Sequence, residues 1–343
     1  MVSKMATFRV LVHVALVLLS FSVPCIDSRE REGNPRDYLK REHSLVKPYT
    51  GSGMSIPLWD FTGNTMVTNN FVRLTADRQT QRGAIWNKIP CNVRDWELHV
   101  HFKIHGKGRG TLFGDGLAIW YVKDRMEEGQ VFGSRDYYKG LGLFIDTYSN
   151  HNGPHNHRHP YLSAQINNGT WKYDHDRDGT HTEVAGCEAL GLRNVDHDTT
   201  MAIRYSQDRL TVMLDIDNKN EWKECFDVTG IRLPTGFFFG ASAQTGQLAD
   251  NHDILSMKVY ELEVSRAEAD GSVDYSKISP QADFFAPPRD HIDDPSGAFK
   301  NISLSWGKLF LLIFCVCLGG LVCIIVGVLV FQKRQEQNRK RFY

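Results

Sequence analysis

The chain predicts an all-β sandwich, and three observations carry that prediction. Residues 96–104 alternate strictly, with Trp96, Leu98, Val100, Phe102 and Ile104 against Glu97, His99, His101 and Lys103, the period of two of a half-buried strand. Short apolar runs recur between turn signals. Residues 201–205 and 210–214 flank Gln207-Asp208 as a hairpin, and Asn168-Gly169 sits within the strand-like stretch 166–171, a setting for a tight primed turn. Residues 38–264 carry no helical period of useful length, and one sandwich domain can occupy that much chain.

The flanking segments set this domain beside a membrane. Lys4 and Arg9 precede a mostly apolar run at 10–23 with Pro24 beyond it, which reads as a signal peptide over residues 1–28. Residues 309–331 are apolar and uncharged for long enough to cross a bilayer as one transmembrane helix. Lys308 precedes them, whereas Lys333, Arg334, Arg339, Lys340 and Arg341 follow, which marks the far side as cytosolic. The sequence thus predicts a type I protein with a luminal domain and a cytosolic tail at 332–343. Residues 265–308 turn to Ala, Asp, Ser, Pro and Lys without heptads, as a luminal stalk would.

The 343 residues hold 40 Lys+Arg and 40 Asp+Glu, so net charge is zero and nothing points to nucleic acid as a partner. Cys315, Cys317 and Cys323 fall inside the predicted span and Cys25 at the cleavage region. Cys91, Cys187 and Cys225 remain in an oxidising lumen, where three pairings are open. Sequons occur at Asn168, on the predicted hairpin tip and the candidate for glycosylation, and at Asn301, only a few residues from the span.

Three acidic clusters carry the chemistry: Gly114-Asp115-Gly116, residues 146–150 (DTYSN) and residues 174–179 (DHDRDG). Asp146, Tyr148 and Asn150 stand at i, i+2 and i+4, so a loop can turn two side-chain oxygens and one carbonyl toward a hard cation such as Ca2+. Asp174, Asp176 and Asp178 imitate the first half of an EF-hand. The twelfth position, however, is Ala185 rather than a bidentate Glu, and the flanks are not helical. An enzyme is disfavoured, because the strand motif of sandwich glycosidases, His-Glu-x-x-His and Gly-x-Ser-x-Gly are all missing.

Residues 112–120 (LFGDGLAIW), 140–150 (GLGLFIDTYSN), 173–179 (YDHDRDG) and 237–253 (FFFGASAQTGQLADNHD) resemble the animal L-type lectins of the early secretory pathway. The likeness is greatest to the vesicular integral-membrane mannose lectins and their ER-resident paralogue, covers about two thirds of the chain or more, and includes a basic tail ending in Phe-Tyr. It implies a concanavalin or legume-lectin-like jelly roll in which Asp146, Tyr148, Asn150 and Asp178 hold calcium. It also implies a mannose pocket of Thr80, Asp115, Asn150, His175, Gly246, Gln247 and Leu248, a cis peptide at Gly114–Asp115, and a disulfide between Cys187 and Cys225. Calcium would fix Asn150, whose amide then donates to a sugar hydroxyl, while Asp115 accepts from two. Gln247 departs from the Asp of mannose-binding relatives, which predicts altered affinity, and Thr80 replaces a Ser with its hydroxyl kept.

A histidine run, His151, His155, His157 and His159, begins directly after Asn150. Its readings are a solvated loop, a pH sensor whose charging repels calcium, and capture of zinc or copper. Arg339, Lys340, Arg341, Phe342 and Tyr343 resemble sorting signals read by vesicle coat components, with a basic retrieval element and a terminal aromatic export pair. Together these features predict a calcium-dependent lectin, not an enzyme, that binds high-mannose glycoproteins and cycles between ER, intermediate compartment and Golgi. The alternative is an early secretory transport or quality-control receptor that binds partners by protein contacts, with a weakened glycan site.

Overall fold

A computed structural model describes residues 38–49, 56–109, 112–150, 157–264, 273–283, 285 and 326–328. The first strands are β1 (Leu39–Leu45), β2 (Trp59–Gly63), β3 (Met66–Val67), β4 (Val72–Thr75), β5 (Arg82–Asn87) and β6 (Trp96–His105). Next come β7 (Gly116–Val122), β8 (Glu128–Val131), β9 (Lys139–Asp146), β10 (Tyr161–Asn168), β11 (Glu183–Glu188) and β12 (Thr199–Ser206). The last are β13 (Arg209–Asp215), β14 (Lys223–Thr229), β15 (Ile231–Arg232), β16 (Phe238–Gln244), β17 (Asn251–Glu261) and β18 (Gln281–Ala282). One sheet runs β14-β13-β12-β6-β17-β4-β3, with β1 also paired to β17; the other runs β11-β10-β9-β7-β16-β5-β2.

The alternating segment at 96–104 becomes β6, in the middle of the first sheet. Its apolar side chains Trp96, Leu98, Val100, Phe102 and Ile104 are buried, in one core with Leu117, Ile119, Tyr121, Leu141, Leu143 and Ile145 of the second sheet. Each such side chain contributes roughly 1.5–3 kcal/mol through burial. Strands β7 and β9 do not alternate, because their opposite face is covered too. There Ala118, Trp120, Val122 and Phe144 pack with Trp86, Phe132, Tyr138 and Tyr173 in a second, aromatic core. Tyr173 belongs to the loop that carries the third acidic cluster, so this outer core seats that loop on the sheet.

Gln207 and Asp208 make the expected hairpin turn, both at positive φ (51° and 59°), with the Gln207 N–H donated to Asp95 at 2.9 Å. The turn expected at Asn168-Gly169 is different. There β10 ends, residues 169–182 form a long connection, and only then does β11 pair back onto β10. The side chain of Asn167 takes the local backbone groups instead, accepting from Gly169 (2.8 Å) and Trp171 (3.2 Å) and donating to the Trp171 carbonyl (2.7 Å). The connection thereby gains room for the His175–Arg177 3-10 turn.

Part of the expected stalk is also not a spacer. Gln281–Ala282 pairs with Ile231–Arg232, Arg94 lies 3.4 Å over the Tyr275 ring, and the Asp283 N–H donates to Gly230 at 2.9 Å. A polar, proline-rich segment can still add an edge strand, since that needs only backbone groups. Among the described residues no helix is long and apolar enough to cross a membrane. The expected signal peptide, cytosolic tail and 309–331 span lie outside those residues, except Val326–Val328, which are helical.

Cys187 of β11 and Cys225 of β14 form a disulfide, with Cα atoms 5.4 Å apart. It ties an edge strand of one sheet to an edge strand of the other. Cys91 stays a thiol, its pKa pushed up to about 12 by burial, so it is a poor nucleophile for disulfide exchange. A loop of 38 residues closed by one bridge stabilises by about 4 kcal/mol on chain entropy. Replacing both bridge cysteines by Ser in the detergent-solubilised full chain is therefore expected to lower unfolding free energy by about 3–4 kcal/mol. Denaturant unfolding of the two proteins checks this, and an unchanged midpoint contradicts it.

Candidate functional site

Asp115 precedes β7 and follows a cis Gly114–Asp115 peptide, the geometry that the family resemblance implies. Its backbone is fixed on two sides: its N–H donates to Gln244 at 3.2 Å, and its carbonyl accepts from the N–H and hydroxyl of Thr147, each at 3.0 Å. The Gly246 N–H and the Gln244 side chain donate to the carboxylate. A Cβ on Gly246 would lie 3.0 Å from Asp115 Oδ1, so glycine lets the loop backbone approach. A Cβ on Gly114 would in turn lie 3.0 Å from the Tyr148 side chain and 3.9 Å from Leu248. Asp115, Tyr148, Gly246 and Leu248 are thus gathered around one peptide.

Thr80 joins this group through its N–H, donated to the Gly246 carbonyl at 3.0 Å, with left-handed φ of 58°. The backbone carbonyl of Gln247 accepts from Gln79 at 2.7 Å, and its own side chain is exposed. The loop segment ahead of Asp115 is held by a buried ion pair. Asp250, fully buried, makes a two-pronged ion pair with Arg193 (2.8 and 2.7 Å), whose guanidinium lies 4.1 Å over the Phe113 ring.

The second group surrounds a pair of buried carboxylates. Asp146 ends β9, in register with Gly116 of β7 and Tyr161 of β10. Asp178 caps the 3-10 turn at left-handed φ of 48°, and its N–H donates to the His175 carbonyl at 3.2 Å. Asn150 ties in through its side-chain amide, which donates to Asp178 at 2.7 Å, and Tyr148 donates its N–H to Asp146 at 3.0 Å. Burial, and then the charge of Asp178, push the Asp146 carboxyl well above the ordinary carboxylate range. Burial likewise raises Asp115 to about 6.

His175 leans edge-on against Tyr173, ring centres 4.6 Å apart. Although the residue is exposed, partial desolvation of the ring by its neighbours lowers its pKa, with Asp136, Asp174 and Asp176 pulling the other way, which favours a neutral imidazole able to donate and accept. The EF-hand likeness dissolves in three dimensions. Asp174 pairs with Arg177 at 3.5 Å and closes the turn with its carbonyl, while Ala185 already lies in β11. Three supporting residues escape sequence reasoning. Gln244 carries the one usable signal, a polar residue ending the apolar run of β16; Arg193 and Asp250 give none, because a buried ion pair joins positions far apart in sequence.

The sequence model of the Legume-like lectin family matches residues 36–269, and the chain belongs to that family. Vesicular integral-membrane protein VIP36 of Homo sapiens is 54% identical over 313 residues, spanning 91% of this chain and 87% of that protein. VIP36-like protein of Homo sapiens is 48% identical over 312 residues, again spanning 91% and 87%. Among solved structures, the VIP36 exoplasmic/lumenal domain in its Ca2+/Man2-bound form is similar at a TM-score of 0.69 and 53% identity, covering 73% of this chain and 100% of that one.

A raised carboxylate pKa means that the metal-free fold binds protons more tightly than the unfolded chain, so this contribution to stability falls as pH rises above about 4. Asp146→Asn removes the penalty. With chelator present, the variant is expected to melt above the unmodified protein at pH 7, with a smaller gain at pH 5; each kcal/mol of relief corresponds to about 2–4 °C. Calcium should raise only the unmodified protein's Tm. Thermal unfolding checks the sign, and a variant that melts lower at pH 7 contradicts it.

Proposed function

We propose that this chain is a calcium-dependent lectin for high-mannose N-glycans on glycoproteins, and a sorting receptor between ER and Golgi. The observation that carries the reading is the Asp146–Asp178 pair, two buried carboxylates beside the pocket of Asp115. The donors there fit calcium: carboxylates of Asp146 and Asp178, the Tyr148 carbonyl and the Asn150 side-chain oxygen are all hard oxygen ligands. Bound calcium would supply the positive charge that lets both carboxylates ionise.

In the described protein the Asn150 amide donates to Asp178, in part taking a cation's role. Ligation of calcium requires the amide to present its oxygen to the ion, and this frees its NH2 for a sugar hydroxyl. Asp115 accepts from hydroxyls of the same sugar, the backbone of Gly246, Gln247 and Leu248 rims the pocket, and Thr80 and His175 add polar groups. Such a preset arrangement lowers the ordering cost of binding a flexible ligand. The site binds and does no chemistry. Similarity to VIP36 in its Ca2+/Man2-bound form supports the ligand class.

The remaining assignments complete the reading. Residues 1–28 are the signal peptide, 309–331 the single transmembrane helix, and 332–343 a cytosolic tail whose Arg339–Tyr343 segment meets coat components. The lectin domain faces the lumen. Asn168 is exposed at the end of β10, where a glycan can be attached.

A glycan array probed with the full chain, with calcium and with chelator, tests the function. Calcium-dependent signal on mannose-terminated glycans is expected. Asp115→Asn should weaken it at least about tenfold, roughly 1.4 kcal/mol, with calcium binding retained, and Gln247→Asp should strengthen it. Absence of any calcium-dependent mannose signal would favour a receptor acting through protein contacts.

A further inference from the structure

Beside the proposed calcium site stands a second set of metal-binding atoms, built from two histidines that the lectin function does not use and one carboxylate that it does. One ring nitrogen each from His157 and His159 and one carboxylate oxygen of Asp178 lie within 4.8 Å of one another. His159 Nε2 is 3.5 Å from Asp178 and 4.0 Å from Asp146, and its side chain is only 7% exposed. The two imidazoles are neighbours, with ring centres 4.9 Å apart. His157 is also stacked on Tyr161, at 3.7 Å between centres.

The segment is anchored rather than loose. Arg158, between the two histidines, grips Glu188 of β11 with two guanidinium bonds (3.1 and 2.8 Å) and its own N–H (3.2 Å). The Pro160 carbonyl accepts from Ala189 at 2.9 Å. The imidazoles therefore sit against the acid pair on the same framework that positions Asp146 and Asp178.

Ligand chemistry separates the two sets. Calcium takes oxygen donors, whereas imidazole nitrogen with one carboxylate suits zinc. We propose that His157, His159 and Asp178 form a zinc site that shares Asp178 with the calcium site, so that zinc and calcium exclude one another. Three protein ligands leave a fourth position of tetrahedral zinc for water. Zinc ligands must lie closer than these atoms now do, and rotation of the two imidazoles supplies the closure. Zinc capture would withdraw Asp178 from calcium and so make zinc an antagonist of glycan binding. Only this competition rests on the calcium assignment; zinc binding by itself does not.

The test uses the detergent-solubilised full chain, stripped of metal and titrated with zinc chloride in a calorimeter. One zinc per chain is expected, bound at least tenfold more weakly by the His157→Asn/His159→Asn double variant, and displaced to higher zinc concentration by added calcium. X-ray absorption at the zinc edge of the unmodified protein should show two imidazole ligands, a readout that no folding defect of a variant can disturb. Equal zinc affinity in the double variant, or a zinc spectrum without imidazole, overturns the site. Zinc bound as expected but indifferent to calcium, in a protein that binds calcium, overturns the sharing of Asp178. A protein that binds zinc and not calcium sinks the calcium assignment and leaves the zinc ligand set standing.

Discussion

Two carboxylates that cannot move apart govern this molecule. Asp146 is locked by register on both sides, opposite Gly116 and Tyr161, and Asp178 is locked by a left-handed cap and the turn behind it. Both are buried, so water cannot dissipate their charge, and the charge of Asp178 disfavours ionisation of Asp146. An apolar protein core would relieve such a pair by substitution. Keeping it makes the fold unfavourable without a cation or protons, and that debt is what binding a cation discharges. Asn150, Tyr148 and the Asp115 pocket are all attached to the same pair by short connections.

The sandwich supplies the stiffness on which this depends. Strands β7 and β9 are buried on both faces, and the outer face is finished by an aromatic layer in which Phe144 stacks on Phe132 and meets Tyr173 edge-on. Through Tyr173 that layer reaches His175 and the turn bearing Asp178. A second brace, the buried Arg193–Asp250 pair, fixes the approach to Asp115 from the opposite side. The disulfide closes the sheet edges one register position from the Asp146 row, since Cys187 pairs with Leu162 and Leu162 with Ile145. Site geometry is therefore carried by elements of the sandwich core, while Asp115 and Asn150, the groups proposed to meet the sugar, remain half-exposed.

Much of this was legible in the sequence, for physical reasons. Strand β6 alternates because only one of its faces is buried, and Gln207-Asp208 reads as a turn because two strand-like runs flank it. The acidic clusters were legible as cation ligands because oxygen spacing within one loop is local. Asn168-Gly169 misled because the tight-turn preference of Asn-Gly competes with side-chain capping by Asn167, and the longer connection won. The 273–283 segment misled because an edge strand is stabilised by backbone pairing that composition does not reveal. Gln244, Arg193 and Asp250 were invisible as supports, since their partners are brought together only by the sheet. Resemblance to the lectin family supplied what locality could not: the union of Asp115 with Gly246 and of Asp146 with Asp178.

The central claim is that a cation on the Asp146–Asp178 pair sets the sugar pocket, with Asn150 serving both. Binding free energies of two linked ligands are reciprocal. The most direct measurement is calcium affinity of the full chain by calorimetry, with and without saturating mannose disaccharide, set beside disaccharide affinity with and without calcium. The account predicts that each ligand tightens the other by the same factor. Disaccharide binding that is unchanged by chelator, or calcium affinity that is indifferent to the sugar, would contradict it.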